Sequence, residues 1–228
     1  MNEGTDRQDL RMTAAYVRGV MKGADSPLFR APLGELTEEQ CRALIALARE
    51  KGVDLHHFKR FEELPRVRMA LGFLRSVQPR SLLDVGSGRG VFLFSFLRAF
   101  PGVPVTSVDL DEKRAALLRA VHDGGADCLT ALCRDICAWD APDASFDAVT
   151  LLEVLEHIPD VEAAVRNAVR LARRYVAVTV PSKPDNNPEH IHLLTREKLT
   201  DLFTRAGCAR LQFGGVPGHL FMTARKNA

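Results

Sequence analysis

The 228-residue chain lacks the features that would place it in a membrane or on a nucleic acid. No apolar run approaches the roughly 20 residues that cross a bilayer. The first ten residues are polar and include three acids, unlike a secretory signal. The 31 basic residues nearly balance the 29 acidic ones, and a net charge of +2 gives no broad attraction to nucleic acid. We therefore expect a globular protein without a membrane partner, and the charge disfavours a nucleic-acid partner.

The chain also lacks a cysteine framework. Cys133 and Cys137 form a C-x3-C pair, but an iron–sulfur cluster motif of the radical type would need a third cysteine at position 140, which is Asp140. A zinc site would need paired ligands at short spacing, and the other three cysteines stand alone. We therefore predict no metal ligands, five buried reduced thiols and a cytoplasmic location.

What the chain does have, after residue 80, is a regular alternation of strand and helix patterns. The predicted strands are the apolar runs 81–85, 104–110, 128–133, 146–152, 175–180, 209–213 and 219–223. The predicted helices between them are 91–100, 112–122, 160–173 and 195–206. This alternation predicts an α/β fold, with a mostly parallel sheet and helices on both faces. Glycines at 214, 215 and 218 predict a closing hairpin, so the last strand should be antiparallel.

The first 80 residues predict a helical extension rather than part of the sheet. Thr37 and Gln40 form a capping-box pattern before a helix over 41–50, and a second helix is predicted over 62–77. The stretch 23–34, rich in proline and glycine, is predicted as a loop. We therefore divide the chain into an extension over 1–80, expected to act as a lid on a substrate pocket, and a sheet domain over 81–228.

A glycine loop follows the first predicted strand. Residues 84–90 read Asp-Val-Gly-Ser-Gly-Arg-Gly, and glycine at every second position allows a tight turn and close approach to a ligand. The dinucleotide fingerprint Gly-x-Gly-x-x-Gly would need its third glycine at position 91, which is Val91. The loop therefore differs from a pyrophosphate cradle.

Acids follow the next two predicted strands. Ligands of open parallel sheets lie beyond the carboxyl ends of the strands, so Asp109 is a candidate for accepting hydrogen bonds from a ribose diol. The alternative is a surface turn acid, with Asp111 as the cap of the next helix. Asp135 could accept the amino hydrogen of an adenine while Leu110 or Ile136 packs on the ring. A solvated turn is the other interpretation of Asp135.

The fourth predicted strand runs into an acidic segment with one histidine. If residues 153–157 form a helical turn, Glu153, Glu156 and His157 lie on neighbouring faces. Pro159 would close that turn, and Asp160 would cap the next helix. His157 is either a general base or a structural histidine that bonds the backbone, and the sequence leaves both open.

Taken together, the glycine loop, Asp109, Asp135 and the segment Glu-Val-Leu-Glu-His-Ile-Pro-Asp at 153–160 resemble class I methyltransferases of the small-molecule type, which use S-adenosylmethionine (SAM). The resemblance implies a seven-stranded Rossmann-like sheet, SAM as donor and S-adenosylhomocysteine (SAH) as product. It also implies backbone contacts from the loop to the methionine part of SAM, with Glu153 near the sulfonium. The predicted cofactor-binding residues are Asp84, Gly86, Ser87, Gly88, Gly90, Asp109, Leu110, Asp135, Ile136 and Glu153. One departure is that the usual Gly-Gly turn before strand five is missing, since Leu171 to Arg174 run straight into Tyr175.

The acceptor is less well defined. Strand four does not end in Asn/Asp-Pro-Pro-Tyr/Phe, and no cysteine follows a proline, so methylation of DNA bases is not expected. We expect transfer to an O or N atom of a small molecule. Seven basic residues against three acidic ones over 51–80 favour an anionic acceptor, unless they only form a solvated helix face. The predicted catalytic residues are His157 and His190, and the predicted substrate-binding residues are His56, His57, Lys59 and His192.

Two other functions stay open. The small-RNA methyltransferases that act on the terminal ribose 2′-oxygen use a Glu-x-x-Glu-His segment and a later histidine to hold a metal, and Glu153, Glu156, His157 and His190 are similar to that set. The chain could also bind SAM or SAH as a regulator without transferring methyl. The sequence leaves the oligomeric state open, a dimer included.

Overall fold

A computed structural model describes residues 9–23, 26–56, 58 and 64–227. Its α-helices are α1 (Leu10–Val20), α2 (Pro27–Arg30), α3 (Glu38–Glu50), α4 (Pro65–Val77), α5 (Leu93–Ala99), α6 (Glu112–Asp123), α7 (Val161–Leu171) and α8 (Arg196–Arg205). Its strands are β1 (Leu82–Val85), β2 (Val105–Asp109), β3 (Leu129–Cys133), β4 (Phe146–Leu152), β5 (Ala172–Pro181), β6 (Cys208–Val216) and β7 (His219–Lys226).

All seven strands form one sheet in the order β3-β2-β1-β4-β5-β7-β6. The first five strands pair in parallel, and β7 is antiparallel to both β5 and β6. Strand order reverses between β1 and β4, and a crevice opens at such a point outside the carboxyl ends of the strands. The predicted α/β class, the seven strands and the antiparallel last strand are confirmed.

Helices cover both faces of the sheet because successive strand residues point to opposite sides. Leu82 of β1 joins a core with α1, α3, α4, α5 and α6, whereas its neighbour Leu83 joins a second core with α7 and α8. The parallel strands are buried on both sides, as expected for a sheet between two helical layers. Within the described ranges no helix combines the length and apolar character that crossing a bilayer needs.

Helix α1 packs backbone to backbone against α6. A Cβ placed on Gly19 would lie 1.8 Å from the carbonyl oxygen of Ala120, and one placed on Gly124 would lie 1.7 Å from that of Ala15. Only glycine allows two helices to approach so closely. The first core therefore joins the N-terminal helices to the sheet in a single apolar cluster.

Several local predictions need correction. The stretch 23–34 contains α2 and a 3-10 turn over Leu33–Glu35, because Ser26 caps α2 and Pro27 starts it with a preset φ. Only two of the five free cysteines, Cys41 and Cys208, are buried. The capping box at Thr37 is confirmed, because the Thr37 amide donates to the Gln40 side-chain oxygen and the Gln40 amide donates to the Thr37 hydroxyl. As the missing Gly-Gly pair suggested, α7 ends at Leu171 and β5 begins at the next residue.

Candidate active site

The glycine loop turns sharply between β1 and α5. Gly86, Gly88 and Gly90 all have positive φ, at +66°, +54° and +77°. The amide of Gly86 donates to the Val108 carbonyl at 2.7 Å, which ties the loop to β2. A Cβ on Gly90 would lie 2.4 Å from the ring of Phe94, so side chains are excluded there by both conformation and space.

Asp84 holds this loop from beneath. The side chain is buried, its Oδ2 accepts from the Ser87 hydroxyl at 2.6 Å, and its Oδ1 accepts from the Thr150 hydroxyl at 2.7 Å. Burial raises the pKa of Asp84 to about 6, although both hydrogen bonds act in the opposite direction. Asp84 therefore braces the loop with both oxygens already engaged.

Asp109 lies at the end of β2, beside the loop. Its Oδ2 accepts from the Gly88 amide at 3.1 Å, and its Oδ1 accepts from the Asp111 amide at 3.0 Å. Asp111 in turn caps α6 through the amide of Lys113. The two interpretations of this segment are therefore compatible, since Asp111 is the cap and Asp109 borders the cavity.

A cavity of about 790 Å³ opens beyond the ends of β1, β2 and β4. That volume is within the range of small-molecule sites, about 300–1,000 Å³. Leu110, with 68% of its surface exposed, and buried Ile136 give one end apolar walls. Asp135 lies beside them, and its Oδ1 accepts from the Cys137 amide at 2.8 Å. This end suits a flat heterocycle.

A smaller recess of about 150 Å³ lies on the other side of the glycine loop. Gly86, Gly88 and Glu153 line both spaces, so the recess continues the cavity. Arg66, in the first turn of α4, also lines the recess. Sequence reasoning missed Arg66. The sequence does carry one signal for Arg66, a cation in the first turn of a helix, where the helix dipole disfavours it. In the structure, no carboxylate among the described residues forms an ion pair with Arg66.

Glu153 lines both the cavity and the recess. It directly follows β4 with φ +59°, and its amide donates to the Thr179 carbonyl at 2.9 Å. Its Oε2 lies 2.9 Å from Nε2 of His219, whereas its Oε1 is buried without a hydrogen-bond partner among the described residues. The predicted helical turn over 153–157 is wrong at its first residue. The turn is a 3-10 turn over Leu155–His157, and the left-handed backbone at Glu153 precedes it.

A separate cluster combines one carboxyl and two imidazoles. Glu156, His157 and His190 have ligand-type atoms within 4.8 Å of one another. Glu156 is fully buried, neither of its oxygens has a hydrogen-bond partner within the described ranges, and burial raises its pKa to about 8. Nδ1 of His157 lies 2.9 Å from the Glu189 carbonyl, and Nδ1 of His190 lies 2.8 Å from Oδ2 of Asp185. The structure thus brings both predicted catalytic histidines together, with His157 on the cavity wall.

The two predicted substrate-binding residues that the structure describes, His56 and His192, do not line the cavity wall. His192 directs Nε2 at the Ile158 carbonyl at 3.0 Å, and His56 pairs with Asp54 at 2.6 Å, 55% exposed. Neither lines the cavity or the recess. His57 and Lys59 lie outside the described residues.

This parallel sheet, with a glycine loop after its first strand and a carboxylate at the end of the second, defines a Rossmann-like nucleoside-binding fold. The chain matches a family described as "Methyltransferase domain" over residues 55–212, which is more than half of its length. The chain therefore belongs to that methyltransferase family. The resemblance to Rossmann-like methyltransferases drawn from the sequence is confirmed.

Curated relatives match about half of the chain. A ubiquinone biosynthesis O-methyltransferase of Paracidovorax citrulli is 34% identical over 120 residues, which is 51% of this chain and 49% of the relative. One from Chromobacterium violaceum is 36% identical over 100 residues, covering 43% and 42%. The chain thus spans about half the length of the curated relatives it matches.

Solved structures share the fold. The Burkholderia thailandensis 1,6-didemethyltoxoflavin-N1-methyltransferase, with its substrate and SAH bound, has a TM-score of 0.58 at 24% identity and covers 82% of this chain and 87% of its own. The methyltransferase domain of bacterial CtHen1-C has a TM-score of 0.57 at 18% identity, covering 72% and 97%. At these identities the likeness shows the fold alone.

Proposed function

We propose that this protein transfers the methyl group of SAM to an O or N atom of a small-molecule acceptor. The observation that carries the proposal is the charge of the recess. A cation from Arg66 and the carboxylate of Glu153, whose Oε1 has no hydrogen-bond partner among the described residues, border a space of about 150 Å³ beside the glycine loop. That arrangement suits the carboxylate and the ammonium of an α-amino acid, which is the methionine half of SAM.

The remainder of the donor would extend into the larger cavity. Asp109 lies where it can accept from a ribose hydroxyl through lone pairs that the two amides leave free. Leu110 and Ile136 would pack on the adenine, and Asp135 would face its amino group. When bound, SAM supplies an electrophilic methyl on its sulfonium, so this chain's residues mainly orient the partners and exclude water.

An acceptor that loses a proton needs a base, and His157 is placed for that role. If its Nδ1–H donates to the Glu189 carbonyl, Nε2 keeps the lone pair that can take the proton. His190 packs edge-on against this ring, with centroids 4.8 Å apart, and would fix its orientation. Nε2 of His157 would then accept the proton that the acceptor loses. The N-terminal region over 1–80 would cover the acceptor.

Calorimetric titration with SAH tests the donor site. Arg66→Gln should weaken SAH binding by about ten-fold, because one charge-assisted hydrogen bond is lost. Arg68→Gln, on the exposed side of the same helix, is the matched control and should bind like the wild type. No SAH binding by the wild type would refute the donor assignment.

Turnover tests the reaction. The relatives' names suggest a panel of phenols and ring-nitrogen heterocycles. The expected result is a mass gain of one methyl on an acceptor with release of SAH. SAH binding without turnover on any acceptor would instead support the non-catalytic regulator.

A second candidate is metal-dependent methylation of RNA ribose 2′-oxygens. The observation that favours it is Glu156, a fully buried carboxyl with two unpartnered oxygens beside His157 and His190. These three residues would hold a divalent cation, which would polarise an acceptor oxygen. Elemental analysis of the purified protein, and activity on a 3′-terminal ribose before and after chelation, separate the candidates. Full activity in chelator would eliminate the metal.

A further inference from the structure

We propose that His219 is a positioning residue of the donor site, which orients the Glu153 carboxylate toward the ammonium of the methionine half. The inference rests on the proposed function. His219 is the first residue of β7, on the far side of the sheet's switch point from the glycine loop. Neither the sequence patterns nor the family match points to this residue.

The hairpin turn determines where the His219 ring lies. Gly218 has φ +81°, a conformation that favours glycine, and His219 then pairs with Pro181 of β5 in the sheet. The ring is held at both nitrogens. Nε2 lies 2.9 Å from Oε2 of Glu153, and Nδ1 lies 3.1 Å from the Pro217 carbonyl. Both neighbours are acceptor oxygens, so a ring that donates through both nitrogens satisfies them both.

Glu153 needs such a restraint because its backbone is in a sparsely populated conformation. A left-handed φ at a residue other than glycine is unfavourable and persists only where the surroundings enforce it. The bond to Thr179 fixes the main chain, and His219 fixes Oε2. The Glu153 carboxylate, which lines both the recess and the cavity, is thus held on one side, while its buried Oε1 has no hydrogen-bond partner in the described part of the chain.

The test uses the complete chain and two ligands. SAH carries the ammonium, whereas 5′-methylthioadenosine has the same adenosine and thioether but no amino-acid part. His219→Asn keeps a polar group near Nδ1 but does not reach Glu153, and His219→Gln places an amide near Nε2. His219 is 24% exposed in its side chain, so polar replacements suit the turn. Arg205→Gln is the control, since Arg205 also pairs with a carboxylate, that of Glu162 at 3.1 Å, but lines neither space.

His219→Asn should weaken SAH about ten-fold and leave 5′-methylthioadenosine unchanged, because only SAH carries the ammonium that the Glu153 carboxylate would bind. His219→Gln should restore most of the loss, and Arg205→Gln should bind both ligands like the wild type. In a Glu153→Gln background, His219→Asn should add no further loss. Unchanged SAH binding, or equal weakening of both ligands, would overturn the inference, whereas failure of the wild type to bind SAH would overturn the proposed function instead.

Discussion

Asp84→Asn offers the sharpest test of how the glycine loop is supported. The buried carboxyl of Asp84 has its pKa raised by desolvation from 3.8 to about 6. Between these values the folded protein binds more protons at this site than the unfolded chain does. The contribution of Asp84 to stability is therefore fully present below pH 3.8 and is lost as the pH rises through about 6.

The size of this effect follows from the shift. Each unit of pKa difference corresponds to about 1.4 kcal/mol, so the wild type should lose about 3 kcal/mol through Asp84 across this window. An asparagine does not titrate. The free energy of unfolding of Asp84→Asn, minus that of the wild type, should therefore rise by about 3 kcal/mol between about pH 4 and pH 7. Titrating groups that do not interact with Asp84 cancel in the difference, whereas Asp109, whose charge helps to raise the pKa of Asp84, does not cancel fully.

Urea unfolding at a series of pH values, followed by circular dichroism, measures that difference. In the wild type the Thr150 hydroxyl stabilises the ionised form of Asp84. Thr150→Val should therefore raise the pKa of Asp84 further, so that the pH range over which stability falls extends to higher pH. A difference between Asp84→Asn and wild type that stays constant with pH would show that Asp84 titrates alike in both states. The account of a buried brace beneath the loop would then be refuted.

Two further substitutions probe packing. Gly90→Ala places a Cβ 2.4 Å from the Phe94 ring and should weaken both thermal stability and SAH binding. The control Gly52→Ala, at φ +71° in open space, should cost only about 1 kcal/mol of backbone strain. Equal losses of stability in the two variants would show that the Phe94 contact is unimportant. Phe58→Ala removes a fully buried ring that stacks on Phe94 with centroids 5.4 Å apart, and should lower the free energy of unfolding by about 3–5 kcal/mol in urea titrations. A loss below about 1 kcal/mol for Phe58→Ala would contradict its place in the core.

The sheet and the acids at its strand ends were predictable because their signals are local. Buried parallel strands appear as apolar runs, and Asp109 follows such a run directly. β6 and β7 run past their predicted ends, since the edge strand β6 is largely exposed and its residues show no apolar pattern. Helix α1 was not predicted as an element, although Asp9 caps it, because its glycine contact with α6 depends on residues a hundred positions away.

The site was predictable only in part, because some of its contacts join residues that are far apart in the sequence. Glu153 could be singled out from its place after β4, but its left-handed backbone and its partner His219 depend on the final hairpin. Arg66 and Glu153 are brought to one recess by the packing of α4 beside the glycine loop, and no spacing in the sequence encodes that proximity. Residues that act across elements are thus the ones that sequence reasoning misses.

The glycine contacts between α1 and α6 bear on how this chain could be cut or fused. Because main-chain atoms of the two helices touch at Gly19 and Gly124, no layer of side chains separates them that could be repacked with polar groups. A chain that began at Ser81 would leave Leu118 and Val121 of α6 facing water. The first helix is therefore a structural wall of the catalytic domain, and a tag or partner protein is better fused at the other terminus.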